Sequence, residues 1–446
     1  MTGTTWAVNR NTPTSTSALP VAARAKDGRR SRRRKRWKLE STSPTGMAPA
    51  SAEVVIIGAG VMGASIAYHL AKHGVHDIVL VERDTPGSGS TSKAAGGVRC
   101  QFSDEVNIAL STRSLEVLRS FEAEFGVDID LVSNGYLFLL DSAEDAETFA
   151  ANVELQQRMG LESRMLTVAE VAELAPYIDT AGLVGGAFNP GDGHCTPEAV
   201  VSGYINAARN LGVQVLKKCE VTGFETAGGD GSVGGDGSNS GRRVSAVTTS
   251  KGRIECAQVV CAAGAWSGLI GEAAGVDLPV RPLRREIMVS EPVDEAALGI
   301  DLVRMPFTID FSTSFYVHPE GPGLLFGCPD EADVWDFDDK RNPDWLPTLA
   351  ELIETRAPAL GDVEVKRGWA GLYEMTPDHN ALIGEAEELS GFFYACGFSG
   401  HGFLMGPAVG EVVADLMTGH QPFVDVSGLD KRRFATSGLR KELNIV

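Results

Sequence analysis

The first periodic part of the chain passes from an uninterrupted apolar run to a helical repeat of apolar positions. The run over 53–57 is typical of a buried strand, and the apolar spacing after it predicts a helix over about 62–73. A second apolar run predicts a strand over 78–82. A strand–helix–strand unit of this kind indicates an α/β fold.

The remaining chain adds further helices and strands and one region of alternation. Between 282 and 330 apolar and polar side chains alternate, which predicts antiparallel strands. Residues 227–241 are nearly all Gly, Asp, Ser and Asn, which predicts a solvated hairpin tip. Helices are expected over about 104–125, in two segments between 143 and 175, over Pro197–Leu211 (capped by Thr196 and Gly212) and over about Pro407–Met417, and strands over 131–140, 213–216, 219–225 and 258–262.

Charge is divided unevenly between a short leader and the body of the chain. Residues 1–46 carry a net charge of +9, which leaves −28 for the remainder of a chain whose total is −19. An acidic body repels phosphates, so nucleic acid is excluded as a partner. The leader lacks the apolar core of a secretory signal, and we expect it to be a disordered tail or to be untranslated, with synthesis starting at Met47.

The cysteines and the lengths of the apolar runs argue against a disulfide-rich, metal-binding or membrane-spanning protein. Seven scattered cysteines, none in a Cys-x-x-Cys pair, predict free thiols in a reducing cytosol and no metal site. No apolar run approaches the roughly 18 residues of a membrane span. With 43% hydrophobic and 22% charged residues, the composition is that of a soluble globular protein.

A glycine cluster separates the first predicted strand from the first predicted helix. Gly58, Gly60 and Gly63 permit a tight turn, close approach of the backbone to a pyrophosphate and close helix–strand packing. Glu82 lies 24 positions after Gly58, where a dinucleotide site needs a carboxylate for the ribose hydroxyls. Because strand, helix and carboxylate occur together, we interpret the cluster as a dinucleotide site rather than an ordinary glycine turn.

A second glycine cluster, Gly397–Phe403, lies near the other end of the chain. A chain that returns to its cofactor after more than three hundred residues encloses a group longer than a nicotinamide nucleotide, so FAD is the predicted cofactor. The helix after the cluster is expected to direct its positive end at the negative charge that a flavin develops on reduction. A glycine-rich loop before a terminal helix is the alternative interpretation.

Five segments carry a family resemblance: Val55–Gly60, Gly89–Arg99, Ala262–Ser267, Tyr373–Asp378 and Gly397–Phe403. Together they resemble the D-amino-acid-oxidase type of FAD-dependent oxidoreductase, most closely the group of sarcosine oxidase beta subunits, dimethylglycine dehydrogenases and proline dehydrogenases. The resemblance implies a Rossmann-like FAD-binding domain interleaved with a mixed-sheet substrate domain. The predicted FAD-binding domain comprises 47–140, 191–280 and 372–425, the substrate domain 141–190 and 281–371, and a C-terminal tail 426–446.

The activity implied by the resemblance is oxidation of the C–H bond next to the amine of an N-methyl or cyclic amino acid. Hydride would pass to flavin N5 and leave an imine or iminium product. The residues that the resemblance assigns to FAD are Gly58, Gly60, Val61, Met62, Gly63, Glu82, Arg83, Ser90, Thr91, Ser92, Gly96, Gly97, Val221, Ala263, Gly264, Trp266, Gly397, Phe398, Ser399, Gly400, His401, Gly402 and Phe403.

Candidate catalytic or substrate-binding residues are Arg99, Tyr316, His318, Tyr373 and His401. Arg99 matches the family's basic position and is the first choice for a substrate carboxylate; a surface arginine paired with Asp104 or Glu105 is the alternative. The tyrosines and His318 are expected in the pocket wall, although strand residues of these types are often simply packed. His401 is expected to contact the flavin rather than to act as a base.

Some positions depart from the family pattern. Gly371-Leu372 replaces the cysteine, and Lys93 replaces the histidine, through which some members attach flavin, so non-covalent FAD is predicted. Leu325 replaces a lysine thought to activate oxygen, which favours a dehydrogenase that passes electrons to an acceptor protein or quinone. Leu404 replaces a lysine that helps to bind the carboxylate, which weakens the case for sarcosine itself.

Two other functions stay open on this reasoning. One is a non-catalytic flavoprotein assembly factor of mitochondria, with the basic leader as a transit peptide. The other is a beta-type subunit that is active only with partner subunits. The cytoplasm is the expected location, with the mitochondrial matrix as the alternative.

Overall fold

The computed structural model describes residues 47–228, 241–330, 332–436 and 441–444. The predicted leader and most of the predicted hairpin tip lie outside the described residues. The strands are β1 (Val54–Ile57), β2 (Ile78–Val81), β3 (Gly97–Val98), β4 (Tyr136–Leu140), β5 (Arg164–Leu166), β6 (Gly185–Asn189), β7 (Gly193–His194), β8 (Gln214–Leu216), β9 (Val221–Ala227), β10 (Arg243–Thr249), β11 (Gly252–Glu255), β12 (Gln258–Cys261), β13 (Arg281–Ser290), β14 (Phe307–Asp310), β15 (Phe315–Glu320), β16 (Gly323–Cys328), β17 (Val365–Met375), β18 (Leu382–Glu385) and β19 (Phe392–Cys396).

The helices connect and cover these strands. They are α1 (Val61–Lys72), α2 (Glu105–Arg119), α3 (Phe121–Phe125), α4 (Ala143–Arg158), α5 (Val168–Leu174), α6 (Pro197–Asn210), α7 (Ser267–Ala274), α8 (Glu295–Leu298), α9 (Trp345–Arg356), α10 (Gly402–Thr418) and α11 (Arg433–Thr436). In the described part of the chain, no helix is both long and apolar enough to cross a membrane. All seven cysteines fall within the described residues, where they are buried and unpaired.

A six-stranded sheet forms the first half of the fold, in the order β18-β19-β12-β1-β2-β8. Its pairings are parallel except for the edge strand β18, which runs antiparallel to β19. Both β1 and β2 are buried along their whole length, which explains their uninterrupted apolar sequences. The predicted Rossmann-like strand–helix–strand unit is therefore present.

Helices α1 and α10 pack closely beside this sheet because small residues face each other. A Cβ on Gly406 would lie 2.5 Å from Val61 Cγ2, and one on Gly410 would lie 2.0 Å from Ser65 Oγ. The first helix of the chain and its last long helix are thus in direct backbone-level contact. Each begins at one of the two glycine clusters.

An eight-stranded sheet forms the second half, in the order β17-β13-β16-β15-β14-β4-β6-β5. It is mixed, because β14 pairs with β4 in parallel while its other pairings are antiparallel. The predicted α/β fold with a mixed sheet and antiparallel strands after 281 is confirmed. A core that includes Phe315 and Trp345 covers one face of this sheet.

Several predicted element boundaries were wrong. The helix expected over 104–125 is divided at Ser120, whose hydroxyl bonds to the Glu116 and Val117 carbonyls. The strand expected over 131–140 begins only at Tyr136, because Gly135 has a φ of +92°. That strand pairs within the eight-stranded sheet, although the boundary predicted at 140 assigned it to the FAD-binding domain.

The closing helix also begins earlier than predicted. The predicted start was Pro407, and a proline is favoured at the first position of a helix. Instead α10 begins at Gly402 and carries Pro407 in its interior. The positive end of the helix consequently lies within the Gly397–Phe403 cluster.

Candidate functional site

A cavity of about 510 Å³ takes its walls from both sheets and from both glycine clusters. This volume is within the range of small-molecule sites. The predicted residues that line it are Gly58, Gly60, Val61, Met62, Glu82, Arg83, Ser90, Thr91, Gly96, Gly97, Arg99, Val221, Ala263, Gly264, Trp266, Tyr316, Tyr373, Ser399, Gly400, His401, Gly402 and Phe403. Sequence positions more than three hundred residues apart are thus brought to one site.

The turn between β1 and α1 has room for a ligand only because it lacks side chains. Gly58 has a φ of +98°, and a Cβ there would lie 2.4 Å from the Ala262 carbonyl oxygen. The Glu82 carboxylate accepts hydrogen bonds from the Ala59 N–H (2.9 Å) and the Asp84 N–H (2.8 Å). The N-terminus of α1 therefore opens on a cradle beside a fixed carboxylate, as the adenosine diphosphate half of FAD requires.

Residues between Gly87 and Gly97 form a second wall. The Val61 N–H donates to Thr91 Oγ1 (3.2 Å), and Ser90 Oγ donates to the Leu372 carbonyl (2.6 Å). These bonds connect the loop to α1 on one side and to β17 on the other. The loop thereby joins the two halves of the cavity.

The glycine cluster at the C-terminal end is held in place by Glu374. Its carboxylate accepts from the Gly397 N–H (2.8 Å), and its carbonyl accepts from the Ser399 N–H (3.0 Å). Gly400 has a φ of +97°, and a Cβ there would lie 2.5 Å from the Tyr373 ring. The free N–H groups of α10 then begin at Gly402, at the cavity wall. A helix N-terminus in this position fits the electron-rich edge of a flavin.

Four residues assigned to FAD do not line the cavity. Gly63 packs within α1, where a Cβ would lie 1.9 Å from the Gly58 carbonyl oxygen. Phe398 is fully buried in the core, and Gly397 lies against Thr376. Ser92 lies in the short helical turn Thr91–Lys93 outside the cavity wall. These residues shape the wall from behind.

A row of aromatic side chains from β4, β14 and β15 lines one end of the cavity. Tyr136 stacks on Phe307 with ring centroids 4.3 Å apart, and Phe307 stacks on Tyr316 at 5.5 Å. Burial raises the pKa of Tyr136, Tyr316 and Tyr373. At neutral pH these side chains are therefore protonated and offer hydrogen bonds without charge.

Arg99 is a buried cation at this end of the cavity, with 5% of its surface exposed. Its guanidinium donates to the carbonyls of Gln101 and Asn444 and lies 4.2 Å from the Phe102 ring centroid. In the part of the chain that the structure describes, no carboxylate lies within ion-pair distance of it. The predicted alternative, a surface arginine paired with Asp104 or Glu105, is wrong.

His318 was expected in the pocket wall and is not there. Phe307 lies on the neighbouring strand and stacks on the imidazole at 4.4 Å, while His194 packs on it at 4.7 Å. Burial, with the nearby His194 as a second cause, lowers the pKa of His318 well below its ordinary value. His318 is thus a neutral packed side chain behind the wall.

His401 lines the cavity as predicted and is fully desolvated. Burial, with further contributions from Arg99 and His379, lowers its pKa to about 3. Its Nε2 has no hydrogen-bond partner among the described residues. A neutral imidazole with a free nitrogen suits a contact to a polar ligand atom.

Sequence reasoning missed Arg285, Glu374 and Tyr136 as wall residues and Asn444 as a support for Arg99. Arg285 lies two positions before Ile287 on β13, and both line the cavity. The alternation around these positions was a usable signal for Arg285. Nothing local marked Asn444, because its contact with Arg99 spans 345 residues.

Glu374 provides a prediction about pH. Burial raises the pKa of its carboxyl from 4.5 to about 7, so between these values the folded protein binds more protons than the unfolded chain. Stability contributed by this group therefore falls as the pH rises from about 4.5 to about 7. Glu374→Gln removes the titration and keeps a carbonyl for the Gly397 N–H.

The variant is thus expected to lose less stability than the wild type over this range. Thermal unfolding midpoints of the FAD-loaded proteins, measured between about pH 5 and pH 8, test this. Asp192, whose pKa burial also raises to about 7, contributes equally to both proteins and cancels in the difference. Parallel curves would contradict the prediction.

Comparisons with known proteins agree with this geometry. Residues 53–416 match the family model described as FAD dependent oxidoreductase (DAO). Human mitochondrial sarcosine dehydrogenase is 32% identical over 95% of this chain and 45% of its own length. FAD-dependent oxidoreductase domain-containing protein 1 of Xenopus laevis is 32% identical over 91% of this chain and 87% of its own.

A similar fold occurs among solved structures. The crystal structure of L-proline dehydrogenase from P. horikoshii has a TM-score of 0.78 and 32% identity, and it covers 88% of this chain and 100% of that one. The chain spans less than half of the length of the mammalian sarcosine dehydrogenases that it matches.

Proposed function

The chain belongs to the D-amino-acid-oxidase type of FAD-dependent oxidoreductase, and we propose that it oxidises the C–H bond beside the amine of an N-methyl or cyclic amino acid. The family confirms FAD as the cofactor class. The cradle at Gly58, the carboxylate of Glu82 and the N-terminus of α10 fit that group. Bound FAD would supply the hydride acceptor.

The observation that carries the proposal is the unpaired charge of Arg99. The buried Asp192 attracts this cation only from beyond ion-pair distance. A buried cation without a contacting counter-charge is costly, and the cost is recovered when a ligand supplies the anion. The cavity is open to Arg99, and the guanidinium fork matches a carboxylate in shape. A substrate carboxylate is the partner that this site lacks.

The other wall residues orient the substrate by contact and hydrogen bonding. Tyr136 and Tyr316 lie at the two ends of the aromatic row, and Tyr373 packs on Gly400 beside the cofactor cluster. His401 is neutral and the tyrosines are protonated, so none of these side chains pairs with an anion. Arg99 therefore binds the carboxylate end of the substrate. The aromatic row excludes water from the reacting carbon.

Electron transfer to a protein or quinone acceptor is part of the same proposal. Leu325 is buried outside the cavity, and Leu404 lines it, so neither position places an ammonium group beside the flavin. The ammonium group of Lys93, which also lines the cavity, is paired with Asp339. The leucine at position 325 favours a dehydrogenase over an oxidase, whereas Leu404 bears on how the substrate carboxylate is bound. We propose a cytoplasmic location because the seven scattered cysteines are typical of a reducing compartment. The mitochondrial matrix is the alternative if the basic leader is a transit peptide.

The direct test is anaerobic mixing of the FAD-loaded protein with sarcosine, dimethylglycine, proline and D-amino acids while flavin absorbance is recorded. Bleaching by one of the N-methyl or cyclic amino acids supports the proposal. No bleaching by any amine would contradict it and favour a non-catalytic flavoprotein. Bleaching that needs added partner chains would favour a beta-type subunit.

The wall also bears on how FAD is held. Gly371 and Lys93 occupy the positions where some relatives attach flavin, and Lys93 forms an ion pair with Asp339. Neither side chain is a cysteine or histidine, so we expect FAD to be non-covalent. After acid precipitation the yellow colour should be in the supernatant, and colour that stays with the pellet would contradict this.

A further inference from the structure

The same cavity contains a second arginine that the proposed reaction does not use. Arg285 lies on β13 opposite Gly371 of β17, and its side chain, 19% exposed, lines the wall. Building on the proposed function, we propose that the substrate is a secondary amine with two acidic groups. One carboxylate binds Arg99, and the second, on the nitrogen substituent, binds Arg285.

The hydrogen bonds of Arg285 leave one edge of its guanidinium free. Its Nη1 donates to the Arg284 carbonyl (3.0 Å) and to Asp333 Oδ1 (3.0 Å). Its Nε is buried and has no partner, and Nη2 forms no hydrogen bond with any described residue. Nε and Nη2 together are the edge that binds a carboxylate through two parallel hydrogen bonds. This edge is therefore available for an anionic ligand.

The two arginines flank the wall on which the substrate would lie. Arg285 Cζ is 5.8 Å from the centroid of the Tyr373 ring. Burial raises the pKa of Tyr373, and the charges of Arg285 and Arg99 both oppose that rise, so both cations act at this ring. Arg99 likewise acts on Tyr136, and Arg285 on Tyr316, the opposite ends of the aromatic row.

Nearby charges do not supply the missing anion. Asp192 attracts Arg99 from beyond ion-pair distance, and its carboxylate accepts hydrogen bonds from Cys100, Gln101 and Asn189. Lys93 is paired with Asp339, so this cation and this anion cancel. The Glu374 carboxylate is occupied by the Gly397 N–H and keeps a raised pKa in the buried wall. The Asp333 carboxylate pairs with Nη1 from the exposed rim, with 45% of its side chain accessible. A dicarboxylic amine matches the charge that remains.

The test compares two N-substituted glycines of nearly equal shape. N-(2-carboxyethyl)glycine carries the second acid, and N-(2-carbamoylethyl)glycine carries an uncharged amide instead. Dissociation constants come from the perturbation of flavin absorbance in the FAD-loaded protein without oxygen, and flavin reduction is followed in the same mixtures. We expect the diacid to bind the wild type about ten- to a hundredfold more tightly, the range for one charge-assisted contact.

Two variants and a control assign that preference to Arg285. Arg285→Met should reduce the ratio of the two constants to near one, whereas Asp333→Asn should increase it because the competing rim carboxylate is gone. Arg367→Met is the control. Arg367 lies on β17, the strand paired with that of Arg285; its guanidinium is 5.5 Å from the Trp369 ring of the same strand and does not line the cavity, so the ratio should not change.

The outcomes separate this inference from the proposed oxidation. Equal binding of the two compounds by the wild type, or a ratio unchanged in Arg285→Met, would overturn the second acidic group. Flavin that is never reduced, despite tighter binding of the diacid, would count against the oxidation and leave the role of Arg285 supported.

Discussion

Replacing Arg99 with methionine is expected to lower kcat/KM for carboxylate-bearing amines by roughly two to three orders of magnitude, as loss of a buried charge pair does. The reason is that the substrate carboxylate would then enter a desolvated wall with no cation. The kcat/KM of Arg99→Lys should lie between those of the wild type and Arg99→Met, because an ammonium group supplies charge without the planar fork. Rates of anaerobic flavin reduction over a range of substrate concentrations measure the effect.

A second substrate distinguishes carboxylate binding by Arg99 from a purely structural role of this residue. The guanidinium also holds the Gln101 and Asn444 carbonyls, so its removal disturbs the wall. An amine without a carboxylate should lose little activity in Arg99→Met, whereas an equal loss with both amines would refute carboxylate binding. Arg119→Met is the control variant, since this exposed arginine bonds to the Gly191 carbonyl away from the cavity.

Replacing Gly63 with alanine is expected to prevent assembly of the FAD-loaded protein. Alanine ordinarily stabilises a helix by about 1 kcal/mol relative to glycine. Here the new Cβ would lie 1.9 Å from the Gly58 carbonyl oxygen, a backbone atom that no rotamer change can move. Overpacking of this kind costs about 1–3 kcal/mol or more, so the sign of the effect should reverse.

Flavin content after purification and the thermal unfolding midpoint measure this change. Gly223→Ala on β9 is the matched control, because a Cβ there would meet no atom within 4 Å. An alanine variant at 63 that retains FAD and unfolds at the wild-type temperature would show that β1 and α1 have room to separate.

The predicted site residues that the structure places at the cavity are those with a local cause. Gly58 is needed for its positive φ, and Glu82 follows at the distance set by one strand–helix–strand unit, so both were identifiable from spacing. Ser399 and Gly400 follow the same logic, since the turn before α10 requires unusual backbone angles. Glycine patterns describe the backbone, and the backbone forms most of the FAD cradle.

The errors came from contacts between distant segments. Tyr316 and His318 share one face of β15, so alternation alone predicts the same surroundings for both. Only the register with β14 places Phe307 over His318 and leaves Tyr316 at the cavity. The alternation along β13 already marked the position of Arg285, but the free edge of its guanidinium becomes visible only once β13 is paired with β17.

The close pairing of α1 with α10 has a consequence for how cofactor and fold depend on each other. Gly406 and Gly410 let the two helices touch, and each helix begins at a turn that holds one end of the predicted cofactor. Binding of the cofactor is therefore expected to stabilise the contact between the two helices. We therefore expect heat to expel flavin and melt these helices in one cooperative step, so that flavin fluorescence and helical circular dichroism report the same midpoint.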